Sequence, residues 1–110
     1  MEGSAVVQLQ GKDFEKEVIQ SGLPTVVDFY ADWCGPCRMV SPIIESLSKD
    51  YTGRVKFVKV NTDDNPELAQ RFGIMSIPTV MVFKDGKDAS TTIGAGPATM
   101  YKQKIDAALK

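Results

Sequence analysis

The sequence predicts an α/β domain in the order β-α-β-α-β-α-β-β-α, with parallel strand pairs joined by right-handed crossovers and one antiparallel hairpin near the end. Three observations carry this. Short runs rich in β-branched and aromatic residues alternate with stretches whose apolar residues recur at helical spacing. Asp85-Gly86 separates the last two extended runs and is a hairpin signal. The chain has 110 residues, enough for one domain that buries roughly two-thirds of its unfolded surface.

Each element has its own warrant. Ala5 to Leu9 (AVVQL) reads as a first strand. Phe14, Val18 and Ile19 follow at helical spacing, and Gly22 stops that helix. Thr25 to Ala31 (TVVDFYA) shows little polar alternation and suits a central strand covered on both faces. Val40, Ile44, Leu47 and Tyr51 form the next helix stripe, reaching Gly53, with Pro42 inside it expected to kink the axis. Val55 to Val60 is a strand. Asn65-Pro66-Glu67 carries a helix start: a side-chain cap, a proline in the first turn, and a carboxylate near the positive end of the dipole. Leu68 and Phe72 share a face of that helix, and Gly73 ends it. Ile77 to Phe83 is a strand and Ala89 to Ile93 its antiparallel mate. After Gly94-Ala95-Gly96-Pro97, a closing amphipathic helix presents Tyr101, Ile105, Ala108 and Leu109. Residues 1–110 hold no linker, repeat or low-complexity segment and read as one domain.

Composition removes several function classes. Thirteen Lys plus Arg against 14 Asp plus Glu give a formal charge of -1, which is no footprint for nucleic acid or acidic lipid. No apolar run approaches the ~20 residues of a membrane span. Met1 to Ala5 carries no basic region followed by an apolar stretch, so no secretory signal is expected. A transit peptide already removed would leave no trace, which keeps an organelle open beside the cytoplasm. The chain has no His, so Ser-His-Asp and Cys-His catalysis and imidazole zinc sites are excluded.

The two cysteines, Cys34 and Cys37, stand in Trp33-Cys34-Gly35-Pro36-Cys37, after a buried strand and at the opening of a helix. Free N–H groups and the dipole at a helix N-terminus stabilise a thiolate, the nucleophile of disulfide exchange. The first Cys can attack a disulfide and the second, one turn later, can resolve the mixed intermediate. Three other readings stand beside this one, of which the first, two inert buried thiols, is disfavoured by their adjacency at a strand-to-helix turn. A structural staple closing so short a loop is worth only about 2 kcal/mol, a poor return on the only two thiols. A metal half-site would need a second chain to complete the tetrahedron. Asp28, inside the buried-looking TVVDFYA run, is either an acid with a raised pKa or an edge residue that reaches water.

The blocks DFYADWCGPCRM, VNTDDNPELAQRFGI and SIPTVMVFKDGK, in that order and spacing, resemble the thioredoxin family from Phe14 to Leu109. The resemblance implies a mixed sheet sandwiched by helices, cytosolic dithiol reductase activity on protein disulfides, and re-reduction by a thioredoxin reductase. It implies that the chain acts as a monomer, with no cofactor and no metal. It makes Cys34 the attacking thiol, Cys37 the resolving one, and Asp28 the buried acid that deprotonates Cys37, with Lys59 near that acid. It selects Ile77-Pro78, among six prolines, as a cis bond packed against the sulfurs. With Trp33, Gly35, Pro36, Gly94 and Ala95 this suggests an apolar docking patch around Cys34. Gly35-Pro36 places no charge between the cysteines, which favours a reductant over an oxidant. Tyr30 departs from the family, where many members carry a second Trp, and Gly96-Pro97 alters the approach to the last helix.

Overall fold

The computed structural model describes residues 5–110, so Met1 to Ser4, part of the stretch scanned for a leader, lie outside the described residues. The elements are β1 (Val6–Gln8), α1 (Gly11–Phe14) continued by a π-helical turn (Glu15–Ile19), β2 (Thr25–Tyr30), α2 (Gly35–Asp50), β3 (Lys56–Asn61), α3 (Pro66–Arg71), β4 (Thr79–Lys84), β5 (Lys87–Ile93) and α4 (Ala98–Leu109). The π turn shows in the bond from the Gln20 N–H to the Glu15 carbonyl, at 2.9 Å. Asp85 and Gly86 take positive φ values of 53° and 78°, the backbone a two-residue hairpin turn needs. Helix α2 runs unbroken through Pro42 from Gly35 to Asp50.

The five strands form one mixed sheet in the order β1-β3-β2-β4-β5. β1, β3 and β2 are parallel, β4 is antiparallel to β2, and β5 is antiparallel to β4. The direction of β4 departs from the parallel pairing that strand–helix alternation predicts, and helix length explains it. The 16 residues of α2 span about 24 Å and carry the chain back to the starting end of the sheet. The six residues of α3 span only about 9 Å, less than half a six-residue strand of roughly 20 Å. β4 therefore starts at the end where β2 and β3 finish and runs the other way. Register puts Phe29 opposite Thr79, Thr79 opposite Ile93, and Tyr30 opposite Asn61, all at that one end.

Two apolar clusters sandwich the sheet. On one face Val26, Phe57, Val80 and Val82 pack under α2 and α4, against residues including Val40, Ile44, Tyr101 and Ile105. On the other, Val27, Phe29, Val58 and Val60 pack against Phe14, Val18 and Leu68. Phe14 is fully buried, with ring centroids 5.1 Å from Phe72 and 5.7 Å from Phe83. Truncating such a residue to Ala costs about 3–5 kcal/mol. Strand alternation puts Asp28 on the face of Val26, beneath α2. Asn65 does not make the side-chain cap expected of it. Its Oδ1 instead accepts from the Gly11 N–H at 2.7 Å and its Nδ2 donates to the Asn61 carbonyl at 3.0 Å, tying the start of α1 to the loop before α3.

Candidate active site

Strand β2 ends at Tyr30, and four residues later Cys34 caps α2 with extended backbone, φ -89° and ψ 111°. Gly35 and Pro36 are the first two helical residues, and Pro36 brings no N–H that would need a partner. The first free donor facing the cap is the Cys37 N–H, 3.2 Å from Cys34 Sγ. Cys34 and Cys37 are joined as a disulfide with Cα atoms 5.3 Å apart. In the oxidised protein they are alike, 3% and 4% exposed. What separates them is electrostatic: Cys34 sits at the positive end of a four-turn helix and receives a backbone donor, whereas Cys37 lies within the first turn.

The loop before β4 forms the opposite wall. Ile77-Pro78 is the cis peptide, and the Ile77 carbonyl lies 3.7 Å from Cys34 Sγ. Gly94, at φ 91°, donates its N–H to the Pro78 carbonyl at 2.8 Å, which brings Ala95, an exposed residue, to the same rim. Tyr101 of α4 donates its hydroxyl to the Gly94 carbonyl at 3.3 Å and fixes that loop from below. Trp33 is 69% exposed, and its Nε1 donates to Asp63 Oδ2 at 2.8 Å. Trp33, Thr62, Ile74, Met75, Ser76 and Ile77 line a cleft of about 150 Å³. Pattern reading missed Met75, 93% exposed, and Ile93, also exposed, beside this rim. The available signal was adjacency, since Met75 precedes Ser76-Ile77-Pro78 and Ile93 precedes Gly94.

Behind the sulfurs, Asp28, Tyr30, Cys37, Arg38, Ser41 and Lys59 are among the residues lining a cavity of about 190 Å³. Asp28 is 4% exposed, and its Oδ1 has no hydrogen-bond partner among the described residues. Burial pushes its carboxyl up to about 7, against a smaller downward pull from the Lys59 ammonium. Lys59 is the register partner of Asp28 on β3, and its Nζ stands 5.6 Å above the Tyr30 ring. Tyr30 in turn accepts a hydrogen bond from Gln8 Nε2 at 2.8 Å, and burial raises its own phenol. Asp28, Tyr30 and Lys59 thus share the cavity with Cys37, while Trp33 and Ile77 share the cleft on the other side and Gly94 is hydrogen-bonded to Pro78.

The thioredoxin family model matches residues 5–107. The chain belongs to the thioredoxin family. It is 47% identical to thioredoxin 1 of Nostoc sp. over 103 residues, 94% of this chain and 96% of that one. It is 52% identical to the thioredoxin of Pyropia yezoensis over 102 residues, 93% and 95% of the two chains. It is 44% identical to thioredoxin M4, chloroplastic, of Arabidopsis thaliana over 101 residues, 92% of this chain and 52% of that one. Thioredoxins are protein-disulfide oxidoreductases, and with Cys34 and Cys37 paired as a disulfide this chain has dithiol–disulfide redox function. Membership of the family implies, in general terms, disulfide substrates and a thioredoxin reductase partner. Among the described residues no helix is long and apolar enough to cross a membrane.

Proposed function

We propose that the chain is a monomeric, single-domain reductase of protein disulfides and an electron carrier, working in the cytoplasm and contributing to redox homeostasis there. It uses no cofactor or metal of its own. The Cys34 thiolate attacks one sulfur of a substrate disulfide, forming a mixed disulfide and releasing one substrate thiolate. Cys37 gives its proton to Asp28 and attacks Cys34 Sγ, releasing the second substrate thiolate and closing the Cys34–Cys37 disulfide. Two electrons pass to the substrate, and a thioredoxin reductase returns two to the chain. Lys59 holds the Asp28 carboxyl below the value that burial alone would give it. Gly35 and Pro36 add no charge that would favour oxidation. Trp33, Ile77, Pro78, Gly94 and Ala95 receive the substrate, with the Ile77 backbone offering strand-like hydrogen bonds to an extended segment.

The observation that carries this reading is the bond from the Cys37 N–H to Cys34 Sγ at a helix N-terminus, because it favours negative charge on one sulfur of the pair. Dithiothreitol-driven reduction of a model protein disulfide tests it. The wild-type chain is expected to accelerate the reaction and Cys34→Ser to abolish the effect. Cys37→Ser is expected to accumulate a mixed disulfide, visible on non-reducing gels. Full activity in Cys34→Ser, or a trapped adduct on Cys37 instead, would reverse the assignment of roles.

A further inference from the structure

The cavity beneath Cys37 contains a serine hydroxyl to which the reading above gives no task. Ser41 is half-buried on α2, four residues after Cys37, so the two share a helix face one turn apart. Both line the cavity that also holds Asp28 and Lys59. A serine inside a helix commonly returns its hydroxyl to a carbonyl one turn back. Ser48 of the same helix does so, donating to the Glu45 carbonyl at 2.6 Å. Ser41 makes no such bond among the described residues. One wall of the cavity thus offers an uncommitted donor, and another offers Asp28 Oδ1, a buried acceptor with no partner among the described residues. The space, about 190 Å³, has room for several waters at roughly 30 Å³ each, with polar groups to hold them.

We infer that Ser41 is a positioning residue of the resolution step: its hydroxyl, with water in the cavity, solvates the Asp28 carboxylate and keeps it in the ionised form that accepts the Cys37 proton. The proton leaves Cys37 Sγ for the Asp28 carboxylate and passes from there to bulk water through the cavity mouth, so charge and protons balance without any further group. A hydrogen bond to the ionised form favours that form, and removing it shifts the acid upward. The other titratable groups around Asp28 are Lys59 from β3, Tyr30 at the end of β2, Asp32 in the loop that follows it, Arg38 and Cys37 from α2, and Tyr101 from α4. Lys59 pulls the Asp28 carboxyl down while burial pushes it up. Ser41 acts on the same balance through hydration.

This inference rests on the proposed role of Asp28, and the test separates the two. Ser41→Thr and Ser41→Val have nearly the same shape and the same branched β-carbon, and differ in the hydroxyl. Two quantities are read in each: the Asp28 midpoint, from the carboxyl carbon shift of the oxidised protein against pH, and the single-turnover resolution rate against pH. Ser41→Thr is expected to match the wild type. Ser41→Val is expected to raise the Asp28 midpoint by about one pH unit and to slow resolution roughly fivefold near pH 6.5, with the rates converging above about pH 9 where the thiol ionises unaided. Equal midpoints and rates in the Val and Thr variants, with slowed resolution in Asp28→Asn, would overturn the role of Ser41 and leave that of Asp28. Resolution at the wild-type rate in Asp28→Asn would overturn both.

Discussion

Replacing Asp28 by Asn changes little in shape and removes one titration, so its effect on stability must depend on pH. In the folded protein burial lifts the Asp28 carboxyl to about 7, whereas an unfolded chain gives about 3.9. The folded state therefore binds more protons than the unfolded state between these values, and stability falls as pH rises through that window. Below about pH 4 the acid is neutral in both states and costs nothing. Above about pH 7 the folded state must hold the buried charge, and three units at 1.36 kcal/mol each give a penalty of about 4 kcal/mol. Asp28→Asn removes this penalty and leaves a constant offset from whatever bonds the amide makes. Urea unfolding of the oxidised protein measures it. The difference in unfolding free energy between variant and wild type is expected to grow by about 4 kcal/mol from pH 4 to pH 8. With slopes of about 1–3 kcal/mol/M that is a midpoint shift of more than 1 M. A difference that stays flat across this range would mean that Asp28 is solvated, and would refute both its raised pKa and its use as a base.

Four further outcomes follow from the structure. After reduction, limited iodoacetamide at neutral pH is expected to label Cys34 before Cys37, because only Cys34 Sγ receives the helix N-terminal donor; peptide mapping reads the ratio. Trp33 adjoins the disulfide and is held by Asp63, so its emission should change between the oxidised and reduced forms. Asp63→Ala should raise KM for protein substrates while stability stays within about 0.5 kcal/mol, since both residues are exposed; steady-state kinetics and urea midpoints check this. Gly86→Ala should destabilise by more than about 1 kcal/mol in thermal or urea unfolding, because φ is positive there and the new Cβ would lie 2.9 Å from the Ile19 carbonyl oxygen.

Much of this molecule was legible before any coordinates, and the exceptions share a cause. The order of elements followed from hydrophobic patterning, because β2, covered on both faces, leaves an unbroken apolar run and α2, buried on one face, leaves a helical stripe. The direction of β4 did not follow from alternation, although Asn65-Pro66 and Gly73 already bounded α3 too tightly for a return crossover. Asn65 has the right chemistry for a cap, but the Gly11 N–H, 54 residues away in sequence, offers it a tertiary partner. The chemical pair was readable because Cys34 and Cys37 lie on one turn. Its surroundings were not: Met75, Ile93 and Ser41 carry no motif, and each reaches the site through a fold-level juxtaposition. Asp28 stood between, conspicuous as a lone acid in an apolar strand yet given a role only by the family pattern.

The reversal of β4 also gives the molecule a front and a back. Trp33, the Ile77-Pro78 loop and Gly94 gather at one end, while α2 carries the chain about 24 Å away to the exposed turn at residues 52–54. A tether placed on that turn would hold the protein with its disulfide facing the solution. Molecules immobilised there would present the reactive face uniformly to large partners, whereas coupling through random surface amines would point some of them at the support. The same axis decides where a fused domain can sit without shading the sulfurs.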